Sequence, residues 1–128
     1  MLTQQGHIML SSPLADVFDP KLPGISPELV AATLKVQMVD IARLAAVHRN
    51  TLARAPTSSK VQGRLGEVMR ILTEAAALLD GNLDKAIIWF RHQPLAGFEG
   101  QTAEELVADG HAAAVLTHLH LLRQGSYA

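Results

Sequence analysis

The apolar residues in the middle of the chain recur at the spacing of an α-helix, and this pattern constrains the fold more than any other feature. Between residues 58 and 79 they share one helical face. That face contains Val61, Leu65, Val68, Met69, Leu72, Ala76 and Leu79. No segment alternates as a half-buried strand does, and Ala and Leu, which favour helices, dominate the apolar set. The sequence therefore predicts an all-α fold, with 128 residues forming one domain or two very small ones that share a core.

Start and stop signals divide the chain into helical segments. Ser26-Pro27 can cap and begin a helix, and Thr102 with Glu105 forms a capping box. Pro56 and Gly81-Asn82 stop helices. These signals predict helices at about 27–34, 38–45, 49–55, 58–79, 83–92, 103–109 and 111–124. Residues 1–25 are interrupted by proline and glycine, which predicts a poorly ordered segment before the first helix.

Composition excludes several classes of protein. The chain has no cysteine, which rules out disulfides, thiolate metal sites and cysteine nucleophiles. No apolar run approaches the ~20 residues of a membrane span, and residues 1–5 lack the positive charge of a secretory signal. We therefore expect a cytoplasmic protein.

The sequence contains no set of residues that indicates catalysis. His118 and His120 would point away from each other on a helix, and His111 and His118 would stand two turns apart. Neither pair can share one metal ion, and neither a phosphate-binding glycine loop nor a serine nucleophile motif is present. We predict no enzymatic activity, no cofactor and no metal site.

Charge is distributed unevenly along the chain. The net charge is −1, but residues 35–70 carry seven basic and two acidic side chains, and the segments on either side are acidic. A basic segment of this kind can present one surface to phosphate groups. Ordinary solvated charge on helices accounts for it equally well, so charge alone leaves both interpretations open.

Residues 38–54 have the spacing of a helix-turn-helix. Small Ala42 suits a close crossing of two helices, while Ile41, Leu44 and Leu52, together with Val47, supply a small core. Ala46 falls at the turn, where most such motifs have glycine because the turn prefers a positive φ.

The second helix of this motif would be a recognition helix. Arginine can bridge two acceptors on guanine, asparagine can pair with adenine, and threonine can contact phosphate. The DNA-binding residues predicted on this basis are Arg43, His48, Arg49, Asn50, Thr51, Arg54 and Lys60, with Arg43 and Lys60 contacting the DNA backbone. The alternative is a helical hairpin that packs and binds nothing.

A C-terminal series of motifs resembles a known family. It comprises residues 81–90 (GNLDKAIIWF), residues 93–107 (QPLAGFEGQTAEELV), Gly110, Val115-Leu116 and the closing residues 125–128 (GSYA). In this order the motifs resemble the toxin-binding domain of the Xre/MbcA/ParS family of antitoxins, over about residues 60–128. The preceding helix-turn-helix is the usual N-terminal companion of that domain.

The resemblance implies a type II toxin–antitoxin system. Its partner would be a RES-domain toxin that consumes NAD, blocked when the antitoxin's C-terminal domain and tail cover the active-site cleft. Homodimerisation, a higher toxin–antitoxin complex and repression of the shared operon through operator DNA are also implied. The expected organisation is a segment at 1–25, an Xre-like helix-turn-helix domain at 26–58 and a toxin-binding domain at 59–128.

The resemblance also assigns toxin-binding residues. They are Trp89, Arg123, Gly125, Ser126, Tyr127 and Ala128. Trp89 alone would more commonly be a core anchor, and a terminal tail commonly frays. Two other functions stay open: a stand-alone transcription regulator whose C-terminal helices serve dimerisation or sense a ligand, and an orphan antitoxin without a partner.

Overall fold

Residues 17–19 and 22–125, the part of the chain that this computed structural model describes, form an all-α fold. The helices are α1 (Pro27–Leu34), α2 (Met38–Ala45), α3 (Arg49–Arg54), α4 (Ser59–Leu78), α5 (Leu83–His92), α6 (Ala103–Ala108) and α7 (Ala112–Arg123). The described residues contain no strand, only the isolated bridges Phe18–Ile25 and Pro94–Thr102. The predicted fold class is confirmed. None of these helices is long and apolar enough to cross a membrane.

The 20-residue helix α4 is the element on which the others pack, with α2, α5 and α7 all in contact with it. Its inner face is buried as the helical spacing predicted, with Ile71 and Ala75 beside it, except at Leu79, which follows the helix and is partly buried. The Ser58 hydroxyl caps its start by accepting a 3.3 Å hydrogen bond from the Val61 amide. Its end falls at Leu78, one residue before the predicted end, because Asp80 and Gly81 take positive φ values of 60° and 75° and reverse the chain.

Local capping sets the other helix boundaries. The Ser26 hydroxyl accepts from the Leu29 amide at 3.2 Å and begins α1, with Pro27 at its first position. At α6 the Thr102 amide donates to the Glu105 carboxylate at 2.8 Å, and the Glu105 amide donates to the Thr102 hydroxyl at 3.1 Å. Both caps were predicted from sequence. The 3.0 Å hydrogen bond that the Gln37 amide donates to the Asp40 carboxylate at the start of α2 was not.

Two of the described residues before α1 belong to the core, in a part of the chain for which the sequence predicted poor order. Val17 and Ile25 are buried, and the Ser26 amide donates to the Val17 carbonyl at 2.8 Å. The Gln62 side chain on α4 both donates to the Ile25 carbonyl and accepts from the Ile25 amide, each at 2.8 Å. A Cβ at Gly24, where φ is 108°, would collide with the side-chain amide of Gln62. The side chain of Gln62 thus makes the hydrogen bonds to the Ile25 backbone that a neighbouring strand would otherwise make.

One cluster of buried apolar side chains runs from Val17 to Leu119 and includes residues from every helix named above. Residues 26–58 and 59–125 therefore share a core. The guanidinium of Arg64, on α4, links them by donating to the Leu44 carbonyl at 3.0 Å and to the Val107 and Ala108 carbonyls at 2.8 and 3.2 Å. These carbonyls lie at the C-terminal ends of α2 and α6, where a cation is favourable.

Candidate functional site

Helices α2 and α3 form a tight hairpin. Ala46 adopts the left-handed conformation, with φ 57° and ψ 43°, and its amide donates to the Arg43 carbonyl at 3.1 Å. The positive φ that the motif's spacing predicted is thus present, although the residue is alanine. Ile41, Leu44 and Leu52 are buried beneath the hairpin.

His48 begins α3. Its Nδ1 atom accepts a 3.1 Å hydrogen bond from the Asn50 amide, so the imidazole takes the place of the usual serine or aspartate cap. The sequence predicted His48 to contact DNA, whereas the structure gives it this capping bond. The residue is nevertheless exposed, as are its neighbours Arg49 and Asn50.

The remaining predicted DNA-binding residues lie on α2, α3 and the start of α4. Arg43, Arg49, Asn50, Arg54 and Lys60 are exposed, while Thr51 is partly buried. Arg43 forms an ion pair with Asp40 at 3.0 Å. Arg43, His48 and Arg49 line a shallow hollow between α2 and α3.

Two basic residues of the middle segment serve other purposes. Arg64 donates hydrogen bonds to carbonyls at the ends of α2 and α6, and Arg70 forms an ion pair with Glu74 at 3.2 Å. The net charge of residues 35–70 therefore overstates the positive charge near the hairpin. A count along the sequence cannot separate these roles, because they depend on which helix ends meet in space.

A second candidate surface is an apolar groove between α4, α5 and α7, with a volume of about 270 Å³. It is lined by Ala75, Leu78, Leu79, Trp89, Leu119 and Leu122. Trp89 packs against the core with part of its surface and faces the groove with the rest. Of the residues that line it, the sequence singled out Trp89 as a binding residue and placed Leu79 on the inner face of the long helix.

Arg123 lies in the last turn of α7, one residue after the groove residue Leu122. Its side chain is about half exposed (51%) and donates to the Glu74 carboxylate at 3.0 Å, which also accepts from Arg70. Gly125 follows the helix with φ 75° and is exposed. The other predicted toxin-binding residues, Ser126, Tyr127 and Ala128, lie outside the described residues.

A half-buried ion pair connects α5 to α6. The Arg91 Nε and Glu104 Oε2 atoms are 3.5 Å apart, longer than a well-formed hydrogen bond. Burial raises the pKa of the Glu104 carboxyl above its ordinary value, and the Arg91 guanidinium opposes that shift. Nearby Asp40 adds to the increase. Nothing in the sequence indicated this pair, because the two residues come from different helices.

The described residues bring together no group of three or more histidine or carboxylate side chains that could hold a metal ion. Comparisons with protein-family models, curated proteins and solved structures found no match to this chain. The candidate surfaces are therefore the hairpin α2–α3 and the groove between α4, α5 and α7, as their geometry defines them.

Proposed function

We propose that this chain is the antitoxin of a type II toxin–antitoxin system. Its C-terminal helices and tail bind a RES-type, NAD-consuming toxin and cover the toxin's active site, and its α2–α3 hairpin binds operator DNA. The observation that carries the proposal is the apolar groove at the C-terminal end of the fold, where Trp89 and Leu122 are available to a partner beside the start of the tail.

The groove has the character of a protein-binding site. Partly exposed aromatic side chains in apolar pockets supply much of the binding energy at interfaces. Here Trp89 is such a side chain, and the leucines of α4 and α7 form the walls around it. Arg123 adds a half-exposed cation at the edge of the surface, as is common where a polar rim surrounds an apolar centre.

The hairpin has the character of a DNA-reading element. Arg49 and Asn50 occupy the first turn of α3 and are exposed, which is where a recognition helix carries its base contacts. Arg54 and Lys60 are exposed further along and can meet phosphates.

Two charge-reversal variants distinguish partner binding from operator binding. We expect Arg123→Glu to reduce recovery of the partner protein in a pull-down from the native host while leaving an operator gel shift unchanged. Arg49→Glu should do the opposite, because it places a negative charge against DNA phosphates on a surface remote in sequence from the groove. Each variant is the control for the other.

The partner protein is identified by mass spectrometry and assayed for loss of NAD. Recovery of a protein that consumes NAD supports the proposal. Recovery of this chain alone, together with operator binding that Arg49→Glu abolishes, contradicts the antitoxin function and favours the stand-alone regulator.

A further inference from the structure

The most exposed large apolar side chain among the described residues is Ile88, on the outer face of α5. It is 61% exposed, whereas most other apolar residues of α5 are buried or partly buried. A single exposed isoleucine is ordinary on a protein surface. Ile88 differs from such a residue because a hollow and charged side chains lie beside it.

A hollow lies directly beside Ile88. It has a volume of about 180 Å³ and is formed by the end of α1, with Leu34 and Lys35, and by the outer face of α5. The same face thus offers both an apolar projection and a cavity that can receive one. Two copies of such a face can fit each other around a twofold axis, which is the requirement for an isologous dimer.

Asp84 and His92 on this face are arranged in the same self-complementary way, beside the cations Lys35 and Arg91 that also line the hollow. Asp84, Ile88 and His92 are spaced four residues apart on α5, so they form one stripe about 12 Å long. The acidic residue is in the first turn, while His92 and Arg91 are in the last. Asp84 and His92 are both exposed.

We infer that this face binds a second copy of the chain, with the two α5 helices antiparallel and the two Ile88 side chains at the centre. Asp84 of each copy then lies against His92 of the other, which can donate a hydrogen bond to the carboxylate. The antiparallel arrangement also sets the N-terminal end of each helix beside the C-terminal end of the other, which is electrostatically favourable.

The inference rests on the proposed function in one respect: helix-turn-helix proteins read operators as pairs, so a regulator of this kind needs two copies. The proposed function does not say where the copies meet. None of the residues on this face belongs to the predicted DNA-binding or toxin-binding sets. A dimer formed here therefore leaves those side chains accessible to DNA and to the toxin.

The test is sedimentation velocity on the full chain over a range of concentrations, without DNA or any other protein. We expect a reversible dimer whose dissociation constant rises by about tenfold or more in Ile88→Glu, since the substitution buries two like charges at the centre of the contact. Ala113→Glu, which adds the same charge at an exposed position of α7, is the matched control and should dimerise as the wild type does. Circular dichroism shows that both variants fold.

A mixing experiment tests the antiparallel arrangement. Asp84→Lys alone sets the new lysine against His92 of the other copy and should weaken self-association. His92→Glu alone sets the new glutamate against Asp84 and should do the same. An equal mixture of the two variants should recover the dimer, because lysine then meets glutamate and histidine meets aspartate.

Three results would overturn the inference: a wild-type chain that stays monomeric, a dimer insensitive to Ile88→Glu, or a mixture that associates no better than its components. A monomeric wild type whose Ile88→Glu variant loses a partner protein would assign the face to that protein instead. None of these results bears on toxin binding, which the pull-down and the NAD assay test separately.

Discussion

At the scale of single residues, Ala46 shows how a turn can be predicted although its usual residue is missing. The helix-turn-helix spacing placed at Ala46 a turn that prefers a positive φ, and the structure has φ 57° at this alanine. An L-residue with a Cβ in this conformation costs about 1–2 kcal/mol relative to the right-handed region. The hairpin therefore forms in spite of Ala46, because the buried side chains on either side of the turn hold it in place.

Replacing Ala46 with glycine should stabilise the chain. Glycine removes the left-handed penalty, although it adds backbone freedom to the unfolded chain, so we expect a net gain of about 0.5–1 kcal/mol in the free energy of unfolding. Urea denaturation measures this. The control is Ala45→Gly, one residue earlier in helical conformation, which should be destabilising. A loss of stability in Ala46→Gly would contradict the account of the turn.

Among the described residues, Glu104 is the one whose carboxyl group is harder to ionise in the folded chain than in water. Because burial raises its pKa in the folded chain, the folded chain binds this proton more tightly than the unfolded chain does. Its contribution to stability is therefore present at low pH and is lost as the pH rises from about 4.3, the ordinary pKa of glutamate, through the raised value.

The variant Glu104→Gln is uncharged at every pH and should gain stability relative to the wild type as the pH rises through that window. Urea denaturation of both proteins at a series of pH values gives the difference directly. A difference that is constant with pH would show that the Arg91 ion pair cancels the cost of burial, and one that falls as the pH rises would show that the ion pair outweighs that cost.

At the scale of elements, the helix boundaries were the most predictable part of the molecule. Caps and stops act within a few residues of the boundary they set, so Ser26 and the Thr102–Glu105 box could be identified from the sequence itself. The packing of Val17 and Ile25 could not, because it depends on the side chain of Gln62, which lies 37 residues after Ile25.

Arg64 is the clearest case of a role that sequence could not reveal. It appeared as one more positive charge in a basic segment, yet its guanidinium binds the carbonyls that end α2 and α6. These carbonyls come within reach of Arg64 only when α2 and α6 have packed beside α4.

Arg64→Leu should therefore destabilise the fold by about 2–3 kcal/mol, since it removes the guanidinium donor from the Leu44 and Ala108 carbonyls, whereas the Val107 carbonyl still accepts from the Gly110 amide. The matched control is Arg70→Leu on the same helix, whose exposed ion pair with Glu74 should contribute about 0.5 kcal/mol. Thermal or urea denaturation compares the two. Equal effects would mean that the bonds of Arg64 to the helix ends add nothing beyond an ordinary surface charge.

At the scale of the whole molecule, one core supports two candidate surfaces of different chemistry. The hairpin α2–α3 was predictable because its residues are contiguous, and its exposed side chains follow from helical spacing. The groove was predictable only in part: Trp89 was identified from the resemblance, but Leu78 and Leu122 become its neighbours through the packing of α4 against α5 and α7. The proposed antitoxin function depends on both surfaces and on the tail that follows α7.

The central claim is tested most directly by the loss of NAD caused by the recovered partner protein. The assay compares no addition, the full chain, and a chain lacking residues 125–128. We predict that the full chain suppresses the loss and that the shortened chain does not, although circular dichroism shows the same helical content in both, because residues 125–128 follow α7. Suppression by both chains would contradict the role of the tail, and NAD loss unaffected by the full chain would contradict the antitoxin function itself.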